Sequence, residues 1–264
     1  LIKVFSRFKM FNDAFEIKLL EKSKFLRKIQ EKKIISKKVK WIKNIEEIIS
    51  GPTIFIANEF FDALPIKQFV LKKDIWHERF VKYINEEKLI FHDKKANLNN
   101  LNHLVRLGLT KKQKIIEFPV ETIKYLKSIS KIIKKQDGGM ICFDYGYKKI
   151  KMSDSLQSVK KHDYSKILLN VGNSDITHHI NFNLFSKIIR NLGLHLEGIT
   201  EQGIFLQKMG IIHRANILTK NINFNVKADI YYRLKRLLDR NEMGQIFKVI
   251  FFKKKGVKFN LGFK

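Results

Sequence analysis

The chain has 264 residues, enough for one sizeable core or for a core with an appended lobe. Its 44% hydrophobic content and 22 Phe exclude a disordered chain, and no run of about 18 apolar residues exists that could cross a bilayer as a helix. The net charge of +28 is nearly all lysine, 44 Lys to 9 Arg, spread along the whole sequence, which reads as a solvated surface rather than an arginine-rich nucleic-acid groove.

FEIKLL, residues 15–20, predicts a short strand with Glu21 at its carboxyl end. In SKFLRKIQEKKI the apolar residues at 25, 26, 29 and 34, with Ser23 as cap, predict the helix that follows. A second strand surrounds VKW at 39–41. TIFIA, 53–57, is a buried strand leading into a turn or helical turn through NEFFDALP, so Asn58, Glu59 and Asp62 come just past its end. From 66 to 92 the period becomes 2 in IKQFVL, IWHERFVKYI and KLIFHD, with Asn85-Glu86-Glu87 between the last two, which predicts a meander or hairpin. Residues 93–114, rich in Lys and Asn, predict a surface loop with some helix, and 119–135 an amphipathic helix. After Asp137-Gly138-Gly139, MICFDYG is a buried strand that carries Cys142 as a core thiol and Asp144 at its end. With one cysteine there is no internal disulfide, and the eight histidines, scattered apart from His178-His179, have no zinc-ligand spacing. A long polar loop at 147–180, a length uncommon without a function, precedes a helix at 182–191, the strand LHLEGIT, a helix through IFLQKMG, a helix at 226–239 and a last strand at 245–252.

Strands alternating with helices predict a parallel α/β sheet with its ligand outside the carboxyl ends of the strands. Glu21, Asn58-Glu59 and Asp144 all fall at such ends. Structural roles stay open beside the functional ones: Glu21 as a helix cap, and Asp62 as a cap or a lysine partner.

IKLLEKSKFLRKIQ, IFIANEFFDALPIKQF and GGMICFDYGY, followed in order by DSLQSVKKH, SDITHHINF, EQGIFLQKMGI, MGQIFKVIFF and a terminal LGF, resemble the MidA-like S-adenosylmethionine-dependent methyltransferases over nearly the whole chain. NEFFDALP and DYGY are the specific segments. The resemblance implies a class I methyltransferase (Rossmann-like) α/β sheet with an inserted β-rich lobe, divided into a partial core at 1–65, the lobe at 66–114 and the rest of the core at 115–264. It implies S-adenosyl-L-methionine as cofactor, with Glu21 accepting the two ribose hydroxyl protons, Trp41 either flanking the adenine or filling the core, and Asn58 where cofactor and acceptor meet. No metal is implied. For an arginine acceptor, carboxylates on the guanidinium fork would orient it and localise its charge, so Glu59 and Asp62, one helical turn apart, are the expected clamp and Asp144-Tyr145 complete its rim.

Some features depart from the family pattern. The first strand and its G-x-G loop are absent, their place lying upstream of Leu1, and without that strand those ending at Glu21 and Trp41 have nothing to join them to those ending at Asn58 and Asp144. The expectation is a chain that alone neither binds the cofactor tightly nor folds stably: a partial record, one piece of a split gene, or a decaying enzyme. Asn181 stands where the family has Asp, and Asn170-Val171 where it has a proline. The leading expectation is a protein arginine N-methyltransferase acting on a protein such as a respiratory complex I subunit, in a bacterial cytoplasm or a mitochondrial matrix. A non-catalytic assembly or scaffold protein and a nucleic-acid methyltransferase or binder are the alternatives.

Overall fold

The computed structural model describes residues 2–85, 88–111, 113–160, 163–169, 171–259 and 262–263, in two compact units, 1–51 and 52–264. Glu86 and Glu87 of the expected hairpin turn, Asn170, and Leu261 of the terminal LGF lie outside the described residues.

The first unit holds α1 (Ile2–Phe5), α2 (Lys9–Ala14), β1 (Ile17–Leu20), α3 (Lys24–Lys33), β2 (Val39–Ile42) and a short 3-10 turn (Ile45–Glu47). Ser23 caps α3 as the sequence predicts, its side chain accepting the Leu26 N–H at 3.2 Å. β1 and β2 pair in parallel, Ile17 with Val39 through Leu20 with Ile42. Among the described residues these two strands form a sheet of their own. The short 3-10 turn starts at Asn44, whose N–H and that of Lys43 both donate to the Glu47 carboxylate at 2.8 Å.

The second unit contains β3 (Thr53–Asn58), β4 (Lys67–Lys72), β5 (Ile75–Asn85), β6 (Lys88–Lys95), α4 (Leu98–Arg106), β7 (Ile115–Phe118), α5 (Val120–Gln136), β8 (Gly138–Tyr147), β9 (Gln157–Lys160), β10 (Asp163–Ser165), β11 (Asp175–Thr177) and β12 (Ile180–Asn181). It continues with α6 (Phe182–Asn191), β13 (His195–Glu201), α7 (Gln202–Lys208), α8 (Ile211–Leu218), α9 (Phe224–Leu238), α10 (Met243–Ile246) and β14 (Phe247–Lys253). Its main sheet is built on β8. β14 pairs antiparallel with one edge of β8 and carries β13, also antiparallel, while β3 and β12 pair parallel with the other edge. The all-parallel expectation is therefore corrected to a mixed sheet. An apolar run such as FKVIFF records burial on both faces, and that is indifferent to strand direction.

Gly138 sits at φ +116°, and a Cβ there would lie 1.9 Å from the Thr53 carbonyl oxygen, so only glycine lets β3 start its pairing at this point. Along β8, Met140 and Cys142 are buried, as are Val249, Ile250 and Phe252 of β14. α5 contributes Leu126, Ile129 and Ile133 to the buried set, and α6 contributes Phe182, Phe185 and Ile189. Each such side chain contributes roughly 1.5–3 kcal/mol by leaving water.

The expected meander is the antiparallel sheet β6-β5-β4-β7. β7 belongs to it although its four residues are too few for alternation to show. The polar stretch read as a loop at 147–180 instead holds the small antiparallel sheet β10-β9-β11, and α8 also had no forecast. Both consist of short elements whose pairing partners are distant in sequence or whose apolar faces stay exposed, and neither leaves a periodic trace.

Candidate functional site

β3 leaves the edge of β8 at Asn58, opposite Phe143, and β12 joins the same edge at Ile180, opposite Gly146. Between them lie Asp144 and Tyr145, and NEFFDALP crosses this gap. The ladder runs on for one bond, Glu59 N–H to the Phe143 carbonyl at 2.9 Å. There Glu59 adopts φ +48°, a left-handed conformation that is costly for a side chain of this size and is found preferentially at ligand sites.

Asp144 is fully buried. One carboxylate oxygen accepts the N–H groups of Phe61 (3.0 Å) and Asp62 (3.3 Å), the other that of Tyr145 (2.9 Å). The expectation of a rim residue at the end of its strand is corrected: β8 runs on to Tyr147, and Asp144 is the buttress on which the Phe61-Asp62 turn is folded. Burial and the neighbouring Asp62 carboxylate push it up to about 8, against three N–H donors that favour the charged form.

Glu59 and Asp62 do not share a helical face. The segment bends and closes a turn through Leu64 N–H to the Phe61 carbonyl at 3.3 Å, leaving Glu59 exposed and Asp62 4% exposed. Asp144 takes the N–H groups of Phe61 and Asp62, which fixes a turn where local spacing allowed a helix. The two acids still sense each other: burial first, then the Glu59 charge, raises the Asp62 carboxyl, while the Tyr145 hydroxyl, by donating to it, opposes the rise. The Oδ1 atom of Asp62 is buried without a hydrogen-bond partner. A buried acceptor left open is costly, and a donor arriving from a ligand would relieve that cost. Asn58, exposed at the end of β3, donates its amide to Glu59 Oε1 at 3.1 Å.

His178 and His179 complete the surroundings, unassigned by the sequence although the doublet stood out in it. The His178 main-chain N–H donates to the Asp62 carbonyl at 3.1 Å, and burial holds its ring down to about 4. The His179 ring meets Tyr145 edge to face, centroids 5.4 Å apart, and burial lowers it too. Both imidazoles are thus neutral near pH 7, and the acids face no competing cation from them. Burial likewise pushes the Tyr145 phenol above its usual range. Among the described residues no group of three or more His, Cys, Asp or Glu could hold a metal ion.

In the first unit, Glu21 follows β1 and Trp41 lies within β2, opposite Leu19, rather than past the strand end. Gln30 of α3 joins them: its amide donates to Glu21 Oε2 at 3.0 Å and its carbonyl accepts the Trp41 indole N–H at 2.9 Å. Glu21 Oε1 accepts the Ser23 N–H at 2.8 Å, so it braces the residue that caps α3, while a half-buried carboxylate with free lone pairs remains. Such an acceptor, fixed beside a half-buried indole, fits a ribose diol and an adenine.

A family described as "Putative S-adenosyl-L-methionine-dependent methyltransferase" matches residues 1–200. The mitochondrial protein arginine methyltransferase NDUFAF7 homolog of Caenorhabditis elegans is 30% identical over 66% of this chain and 41% of its own length. The mitochondrial protein arginine methyltransferase NDUFAF7 of Xenopus laevis is 24% identical over 94% of this chain and 62% of its own length. The chain thus spans roughly half the length of these relatives. Among solved structures, an uncharacterized Burkholderia thailandensis protein superposes with TM-score 0.80 at 20% identity, over 96% of this chain and 71% of that one. A second protein from the same bacterium, bound to S-adenosyl-homocysteine, superposes with TM-score 0.77 at 20% identity, over 94% of this chain and 66% of that one. These likenesses establish the class I methyltransferase-like α/β fold, and with the match over residues 1–200 the chain belongs to the S-adenosyl-L-methionine-dependent methyltransferase family.

Proposed function

We propose that the chain carries the acceptor site of a protein arginine N-methyltransferase, with a respiratory complex I subunit as the acceptor that the resemblance suggests and the mitochondrial matrix as its place in a eukaryotic cell. The observation that supports this reading is the buried, open Oδ1 of Asp62 beside exposed Glu59 in the gap between β3 and β12. A guanidinium offers five N–H donors in a plane and stays charged, which suits two carboxylate acceptors in a setting where both histidines are neutral.

Bound S-adenosyl-L-methionine supplies an electrophilic methyl group on a sulfonium. Within the first unit, Glu21, with Gln30 and Trp41, would hold its ribose and adenine. Asp62 would accept from the guanidinium fork, Glu59 would accept from a second N–H, and the Tyr145 hydroxyl would help to orient Asp62. Withdrawing charge towards the held nitrogens leaves the third nitrogen the better nucleophile, and after methylation that nitrogen releases a proton.

The test, made in the complete protein, is transfer of labelled methyl to an arginine-containing protein beside calorimetric binding of S-adenosyl-homocysteine. Asp62→Asn is expected to lower kcat/KM for the acceptor by about 10–100-fold with unchanged affinity for S-adenosyl-homocysteine. Equal activity of the variant would remove the clamp, and label on lysine or nucleic acid would remove the arginine assignment.

A further inference from the structure

The small sheet β10-β9-β11 is held together by polar contacts. The Ser158 hydroxyl, buried on β9, bonds Ser165 of β10 at 2.8 Å and donates to Ser174, just before β11, at 2.9 Å. Its strands, QSVK, DYS and DIT, carry few apolar side chains, and of those Tyr164 and Ile176 are exposed. Such a sheet adds little to a hydrophobic core. Its place sets it apart: β11 ends at Thr177, and the next residue, His178, donates its main-chain N–H to the Asp62 carbonyl at 3.1 Å.

Thr177 pairs across the sheet with Gln157 of β9, and the Gln157 amide donates to Thr177 Oγ1 at 3.2 Å. Both side chains also reach the Tyr145 hydroxyl: burial raises that phenol, hydrogen bonds from Thr177 and Gln157 oppose the rise, and its bond to Asp62 adds to it. The direction of this chain follows from the donors available. An amide nitrogen only donates, so Thr177 Oγ1 accepts and its own proton is left for the Tyr145 oxygen. With that oxygen accepting, Tyr145 has one proton to give, and Asp62 receives it. Hydrogen bonds aligned in one direction strengthen one another. The ring is held as well, edge to face on His179 with centroids 5.4 Å apart and against Phe247 at 5.5 Å. Half-buried Gln157, Thr177 and Tyr145 thereby aim a donor at the Asp62 carboxylate, whose Oδ1 stays open.

We propose that Gln157 and Thr177 are positioning residues of the acceptor site: through the Tyr145 hydroxyl they fix the Asp62 carboxylate so that its open oxygen meets the incoming guanidinium. This deepens the arginine reading above and rests on it.

The test uses the complete protein and two readouts, acceptor kinetics and the titration of the Asp62 carboxyl by carbon-13 NMR, its signal assigned by its loss in Asp62→Asn. Thr177→Val keeps the side-chain shape without the hydroxyl and is expected to raise the acceptor KM about 3–10-fold, with kcat and affinity for S-adenosyl-homocysteine within about twofold. Thr177→Ser is expected to keep the original KM, and Thr177→Val in a Tyr145→Phe background to add nothing further. Ser158→Ala, which loosens the same sheet without touching Tyr145, is expected to leave KM unchanged. The Tyr145 donor lowers the Asp62 carboxyl, so misdirecting it in Thr177→Val should move that titration upward by about 0.5 or more, with Asp144, Glu59 and His178 around it unaltered. A carboxyl that moves in a protein that does not methylate arginine supports the chain of bonds and removes only the acceptor reading. A carboxyl that stays put in Thr177→Val, or moves equally in Ser158→Ala, overturns the proposal. So does an unchanged KM in Thr177→Val beside active methyl transfer.

Discussion

Asp144 shows how one buried side chain can organise the turn that presents a site. Its three N–H acceptances hold Phe61, Asp62 and Tyr145 in place, and Asp62 then presents the open oxygen. Asp144→Asn replaces one acceptor oxygen by an amide donor facing an N–H, and is expected to cost about 2–4 kcal/mol in urea denaturation. The pH dependence has a definite sign. The Asp144 carboxyl is raised from 3.8 when unfolded to about 8 when folded, so its contribution is full below the lower value and is lost as pH rises to the higher one. His178, lowered from 6.5 to about 4, acts the other way, its contribution vanishing as pH falls across that window. Subtracting the Asp144→Asn stability curve from that of the unaltered chain removes the histidine effect. The remaining difference is expected to decline from about pH 4 to pH 8, and a flat difference would show that the three N–H donors outweigh burial.

At the scale of elements, the caps explain a departure from the family pattern. Asn181 opens α6, its Oδ1 accepting the Leu184 N–H at 3.0 Å. Asp and Asn cap about equally well, so one can replace the other without altering the helix. Asn181→Asp is expected to stay within about 0.5 kcal/mol and Asn181→Ala to cost about 1 kcal/mol, measured by chemical denaturation. A larger loss for Asp would point to a role of this position outside the helix start. At the strand level, Gly138→Ala would push a methyl into the Thr53 carbonyl and separate β3 from β8 where the site's first strand begins. A drop of more than about 3 kcal/mol, or failure to fold, is expected in the same measurement.

Across the second unit, a buried polar network fastens the β6-β5-β4-β7 sheet to the segment that carries the histidines. Glu117 of β7 accepts from Gln68 of β4 and from the Ser155 N–H, each at 3.0 Å, and from the Ser155 hydroxyl. Ser155 Oγ in turn accepts the His179 N–H at 3.0 Å. Arg79 of β5 and Gln68 both reach Asp154 at 2.8 Å. Burial raises the Glu117 carboxyl, with the Ser155 hydroxyl as the leading opposing donor. Glu117→Ala strands these donors in the interior and is expected to cost about 2–4 kcal/mol. It should also speed hydrogen exchange at the His179 amide well beyond what the global loss of stability accounts for. Exchange that follows global stability alone would leave the network a purely structural fastening.

The sequence by itself determined the α/β class, the strands ending near Glu21 and Asn58, the buried MICFDYG strand, most helices and the family, because periodicity, caps and motif order are local properties of the chain. Short pieces such as β7 and β9–β11 carry too few residues for a period to register. Tertiary structure alone decided that Asp144 is buried beneath the turn rather than exposed at its rim, that Asp62 and Glu59 differ in burial, and that Gln30 links Glu21 to Trp41. It also decided that His178 stands beside Asp62 and His179 against Tyr145, and that β14 runs antiparallel. The physical reason is common to all of these: burial, the partner of a hydrogen bond and the direction of a neighbouring strand depend on residues tens of positions away, whose approach leaves no mark on local spacing.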